Sequence, residues 1–149
     1  MSRPTPGGAL LHPLAVASLA LLVVNDHLLK QSIPGVMTGK LSDVAGLVFF
    51  PLVLVSSWEW AQSLRGASPV AGRPVIAGAI VLTGLGFCAI QLWAPAGSAW
   101  AWGLGALQAP LHGSWRPVVH TADPTDLLAL PALAVAAWIA LRRRARWTG

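Results

Sequence analysis

Four apolar runs, each close to the ~20 residues that a helix needs to cross a bilayer, are set apart by two short polar connections and one longer segment between the third and fourth. The first extends from about Ala9 to Leu29, with an almost unbroken apolar centre from Leu14 to Val24 and with His12 and Pro13 in its first turn. It ends in Asn25-Asp26-His27 and not in a small-residue cleavage site, so a retained span is expected instead of a cleaved signal peptide. The second covers about Ser42 to Trp60, with Pro51 where a kink is tolerated in lipid and Glu59 at its far end. The third covers Pro74 to Trp93, and its small residues Gly78, Ala79, Gly84 and Gly86 would let a neighbouring helix approach closely. The fourth covers about Pro124 to Leu141, with Pro124 suited to a helix's first turn and Pro131 marking a bend.

Between spans three and four, Ala94 to Leu111 is uncharged and long, but Pro95, Gly97, Gly103, Gly105 and Pro110 argue against a straight helix. The expectation is an interfacial or re-entrant segment. Trp100 and Trp102, with Trp93 and Trp115 beside them, suit the headgroup boundary, where an indole buries its ring and still donates a hydrogen bond. Trp58 and Trp60, with Trp138 and Trp147, would form the opposite belt. The expected fold class is therefore all-α and integral to the membrane, with residues 1–149 forming a single membrane domain of four spans.

Composition agrees with this pattern. Hydrophobic residues make up 55% of the chain, charged residues only 10%, and the mean hydropathy is +0.64, outside the balance of a soluble domain. Cys88 is the single cysteine, which excludes an internal disulfide and a cysteine-based metal cluster. The net charge of +5 does not point to nucleic acid, because Arg142, Arg143, Arg144 and Arg146 cluster just after a hydrophobic segment, as membrane anchors do. With four spans, Arg3, Arg65, Arg73 and those four arginines share one face, against Lys30, Lys40 and Arg116 on the other. Seven against three places both termini in the cytoplasm by the positive-inside rule. A fifth span would send the arginine cluster outside.

The same topology sends four of the five acids outward: Asp26, Asp43, Asp123 and Asp126, leaving Glu59 inside. His27, His120, Lys30, Lys40, Asn25, Thr38, Ser42 and Thr121 join the outer group. Ionisable groups near the hydrocarbon boundary are costly unless they pair, bind an ion or line a wet cavity. Helical spacing puts Asp26, His27 and Lys30 on one face; Ser42 is placed to cap span two and Asp43 to sit at its positive end. Asp123 or Thr121 would cap span four, whereas Asp126 lies one turn inside and is not explained as a cap. Three helix ends that each bring a carboxylate suggest one shallow pocket made of Asp26, His27, Lys30, Lys40, Ser42, Asp43, His120, Asp123 and Asp126. An ion-pair network that locks helix ends together, and a transport or proton relay, use the same residues.

A divalent metal ion would draw on Asp26, His27, Asp43, His120, Asp123 and Asp126, a mixed imidazole and carboxylate set. No His-Glu-x-x-His pair supports it, and no catalytic nucleophile stands out. Pro34 to Ser42 imitates a phosphate loop, but its first glycine is one position late and Ser42 does not directly follow the lysine. Gly103-x-Gly105 lacks the third glycine of a dinucleotide site. His12 and His112 are isolated in the sequence and read as incidental.

Two segments carry a resemblance. Asn25-Asp26-His27-Leu28-Leu29-Lys30 and Thr38-Gly39-Lys40-Leu41-Ser42-Asp43-Val44-Ala45-Gly46-Leu47 resemble the N-D-H-x-x-K and T-G-K-L-S-D-x-A-G-L pattern of a group of small, uncharacterised bacterial polytopic membrane proteins. The likeness covers roughly residues 25 to 51, with a weaker echo at Asp123 to Leu130. It implies a bacterial inner-membrane, multi-pass chain and supplies no substrate, cofactor or reaction. The leading expectation is thus a membrane protein whose outer polar site binds a charged ligand, lipid headgroup or divalent ion. A metal-dependent hydrolase or transferase acting on a lipid or envelope substrate is the second. A small transporter or partner subunit, as a homo-oligomer or with another membrane protein, is the third; the bilayer is the one partner common to all, and nucleic acid is not expected.

Overall fold

A computed structural model describes residues 4–25 and 36–148. All regular elements among these residues are helical. In chain order they are a 3₁₀ turn at Gly8–Leu11, α1 at Pro13–Val24, α2 at Val36–Leu64, α3 at Arg73–Leu92, α4 at Ala94–His112, a 3₁₀ segment at Pro124–Ala132, and α5 at Leu133–Thr148. Among the described residues, three stretches are long and apolar enough to cross a membrane: Gly39–Leu64, Arg73–Leu92 and Pro124–Thr148. The first predicted span is described only through Asn25; its last four residues, 26–29, lie outside the described residues.

The helix ends follow local chemistry. Pro13 opens α1, where its missing N–H costs nothing, and His12 caps the helix by accepting from the Leu14 N–H through Nδ1 at 3.3 Å. His12 also meets the edge of Trp138, with ring centroids 5.5 Å apart, so it is not an isolated residue. The 3₁₀ to α transition after Ala132 follows Pro131, which has no N–H to donate into an α ladder. α2 begins at Val36 and not near Ser42, because the preceding turns contain Met, Lys and Leu and a single tolerated Gly39. Ser42 is therefore an interior helix residue and not a cap. Pro51 does not end α2, which continues to Leu64.

Ala94–Leu111 was expected to resist a straight helix, yet α4 runs unbroken for 19 residues. Pro95 falls in the first turn, where its missing N–H costs nothing; Pro110 forgoes its bond to the Ala106 carbonyl only two residues before the helix ends, and Gly113 follows in the left-handed region at φ 68°.

The chain divides into two compact units, Met1–Gly84 with Ala129–Gly149, and Leu85–Leu128. In the first, α1 packs on α2, α2 packs on α5, and the Gly8–Leu11 turn contacts all three. Among the described residues, six of the eleven buried in its core are alanine (Ala9, Ala15, Ala71, Ala79, Ala136 and Ala140), packed with Leu52, Val55 and Ile139. Small residues matter here because lipid tails are as apolar as leucine, so close van der Waals contact, not transfer from water, holds membrane helices together. Of the small residues expected to admit a neighbour, Ala79 is buried and Gly84 faces the Leu133 side chain, while Gly78 and Gly86 have nothing within 4 Å. The outward faces carry Val44, Phe50, Val81, Leu82 and Leu141 exposed, as lipid contact requires.

Candidate functional site

Two polar clusters stand out, one in each unit. In the unit of residues 85–128, the second turn of approach is set by α4 itself. Gly97, Ala101 and Gly105 are spaced four apart and form one small-residue face of the helix. The chain returns along this face: the Val118 N–H donates to the Ala101 carbonyl at 3.1 Å, and a Cβ at Gly105 would overlap the Arg116 carbonyl oxygen. A Cβ at Gly97 would lie 3.0 Å from His120 Cδ2. The glycines that read as helix breakers are thus the floor on which residues 116–120 lie. Trp115 closes the return by meeting the edge of Trp102, with centroids 5.3 Å apart.

That return delivers His120 and Asp123 to the end of α3. His120 Nε2 lies 3.2 Å from the Ile90 carbonyl oxygen. The side-chain amide of Gln91, only 5% exposed, works in both directions: its Oε1 accepts from the Asp123 N–H at 3.1 Å, and its Nε2 donates to Asp126 Oδ2 at 3.2 Å. Asp123 Oδ1 accepts from the Thr125 N–H at 2.8 Å and so caps the Pro124–Ala132 segment. Asp126 lies in the first turn of that segment, where a carboxylate favours the helix's positive end. Both aspartates and His120 are half-buried. Two of the sequence-selected residues, Asp123 and Asp126, are therefore held by one neutral amide that charge counting overlooked, with His120 on the adjacent Ile90 carbonyl; an uncharged glutamine at the end of an apolar helix was the signal.

The other selected residues fall as follows. Asp26, His27 and Lys30 lie outside the described residues. Lys40, Ser42 and Asp43 occupy α2, half-buried, and Ser42 Oγ accepts from Asn25 Nδ2 at 2.5 Å, joining α2 to the end of α1. Lys40, Asp43, Asp123 and Asp126 all take part in further interactions. Among the described residues no three His, Cys, Asp or Glu side chains converge as metal ligands.

The second cluster centres on Glu59, which the sequence marked only as the end of a span. It is 1% exposed. Its Oε2 accepts from the Gly7 N–H at 2.9 Å and its Oε1 from the Ala71 N–H at 3.2 Å and from Arg143 Nη1. Arg143 also donates to the Thr5 carbonyl, and Arg144 to the Ala71 carbonyl at 3.3 Å. One carboxylate thereby joins the amino-terminal segment, α2, the connection before α3, and α5. Gly7, at φ 75°, can present its N–H in a conformation that other residues reach at a cost, and a Cβ at Gly8 would stand 2.9 Å from Arg143 Nε. Arg142 lies 4.5 Å over the Trp138 ring, a cation–π contact on the same helix. A single acid among the seven basic residues assigned to its face was the clue to this hub. Compared with protein-family models, curated proteins and solved structures, the chain finds no significant match.

Proposed function

We propose that this chain is a four-span protein of a bacterial inner membrane, with both termini cytoplasmic and α4 lying at the outer interface, whose outward polar face binds a positively charged ligand. The topology rests on three apolar helices of crossing length, on the apolar run that begins at Ala9, and on the seven-to-three division of basic residues. The bacterial setting rests on the motif resemblance at residues 25 to 51.

One observation carries the binding reading: Asp126, half-buried in an apolar helical segment, is oriented by Gln91, whose other end fixes the Asp123 backbone. A carboxylate held in place at a hydrocarbon boundary is prepared for a cation, since its desolvation is already partly met by the protein. A primary amine or lipid-headgroup amine needs only such oriented carboxylates. A divalent ion needs several converging ligands, and among the described residues no three His, Cys, Asp or Glu side chains converge as such a set.

Calorimetric titration of the nanodisc-reconstituted protein with ethanolamine, Zn²⁺ and Mg²⁺ in turn tests the reading. Saturable binding of one of them, lost in Asp126→Asn, supports it; equal binding in both proteins, or none in either, refutes it. Orientation is tested separately with single cysteines at positions 31 and 118 in a Cys88→Ser background. Both are expected to label from the outer side.

A further inference from the structure

We propose that the cytoplasmic end of the α3–α5 pair holds an anionic phospholipid in a specific groove, its phosphate on Arg73 and Arg144 and an acyl chain along the apolar walls. The assignment of this end to the cytoplasmic face rests on the topology proposed above.

The groove has a volume of about 640 Å³, within the ~300–1,000 Å³ range of small-molecule pockets. It is lined from both α3 and α5, which come close at Gly84, where a Cβ would stand 3.1 Å from Leu133 Cδ1. Its lining is divided along its length. Arg73 opens α3 and Arg144 lies near the end of α5, so the two guanidiniums flank one mouth. Going deeper, α3 contributes Ile76, Ile80 and Val81 and α5 contributes Ala137 and Leu141, with no charged side chain. From Arg73 to Val81 is two helical turns, about 12 Å at 1.5 Å per residue, enough to take the first part of an acyl chain.

Charge complementarity selects an anionic occupant. Glu59, the acid of this unit's buried hub, is taken by Arg143, and among the described residues neither Arg73 nor Arg144 is ion-paired with a carboxylate. Arg144 is held half-buried by the Ala71 carbonyl, so its guanidinium is aimed before the ligand arrives. The amino-terminal N–H groups of α3 add a positive end beside Arg73. A guanidinium pair matches phosphate oxygens, and an apolar trough behind it matches a tail joined to that phosphate, which a free anion lacks.

Native mass spectrometry of the protein released from membranes containing phosphatidylglycerol and phosphatidylcholine provides the test. The expected result is retained phosphatidylglycerol, reduced about tenfold for each of Arg73→Gln and Arg144→Gln, the scale of one charge-assisted hydrogen bond. Ala77→Phe, which fills the groove without changing charge, should reduce retention as well. Arg65→Gln with Arg146→Gln removes two charges of the same face outside the groove and should leave retention unchanged. Loss in this control equal to the groove variants, or full retention in Ala77→Phe, overturns the proposal in favour of general surface attraction. Labelling of Gly66→Cys from the cytoplasmic side, in the Cys88→Ser background, reports on the topology alone, so the two readings can fail independently.

Discussion

Glu59 and Gln91 are both buried polar side chains in the last two turns of a long apolar helix, and both take a backbone N–H from a segment distant in sequence. They differ in charge, and the surroundings differ accordingly. Around Glu59 the chain supplies an arginine and two backbone donors, which enclose the carboxylate at 1% exposure and leave no face for a ligand. Around Gln91 no counter-charge is needed, because a neutral amide can be buried once its donor and acceptor are used. The charge in that cluster is carried instead by Asp126, half-buried and bonded to the amide. The comparison teaches that a buried ion pair closes a junction, whereas a buried amide can orient a charged group that still meets its surroundings.

The largest expected effect breaks the closed hub. Glu59→Ala leaves the Arg143 guanidinium without its counter-ion and the Gly7 and Ala71 N–H groups without their acceptor, a loss of about 3–5 kcal/mol on the scale of severed buried pairs. Thermal unfolding in detergent should register it, and Glu59→Leu combined with Arg143→Met should destabilise by less than the sum of the two single changes. A strictly additive outcome would show that the pair is not coupled.

Next in size is Gly105→Ala. The new methyl would displace the Arg116 backbone, costing about 1–3 kcal/mol or more, while Gly103→Ala, with nothing within 4 Å, should stabilise α4 by up to about 1 kcal/mol. Opposite signs in unfolding measurements would establish that the returning segment needs the glycine and that the helix does not. Gln91→Leu should cost about 1–3 kcal/mol by leaving the Asp123 N–H and the Asp126 carboxylate without the amide, and should weaken cation binding at the same time. If stability falls and binding is unchanged, the amide is structural only and the contrast with Glu59 disappears. Asp123→Ala removes a cap and is expected to cost about 1 kcal/mol, with binding reduced less than in Asp126→Asn. The smallest effect belongs to Ser56→Ala: its buried Oγ has no hydrogen-bond partner among the described residues, so stability should stay unchanged or rise slightly.

Legibility in the sequence tracked how local the cause was. α3 begins one residue before Pro74 and ends one before Trp93, because proline, arginine and a change from apolar to small residues act over a single turn. The first span, expected from about Ala9 with His12 and Pro13 in its first turn, instead opens as an α-helix at Pro13 with His12 as its cap, after a 3₁₀ turn at Gly8–Leu11. Asp123 was readable as a cap, and Asp126 as a residue that capping does not explain; the Gln91 amide supplies the missing partner. The misreadings were non-local. Gly97 and Gly105 look alike as helix breakers until residues 116–120 are seen lying on them, and Ser42 looks like a cap until Asn25 is seen to donate to it from α1. Glu59 had no sequence neighbour to reveal its role, since its partners are 52, 12 and 84 residues away.

By itself, the sequence determined the helical class and the presence of three segments long and apolar enough to cross a membrane, because both follow from how many consecutive apolar residues a backbone must offer when no water can satisfy its polar groups. Tertiary structure decided which polar residues meet. Placing Gly7, Ala71 and Arg143 on one carboxylate, and Asp123 and Asp126 on one amide, depends on helix separations and returning loops that no periodicity encodes. Those meetings determine which charges are sealed inside the protein and which remain at its surface.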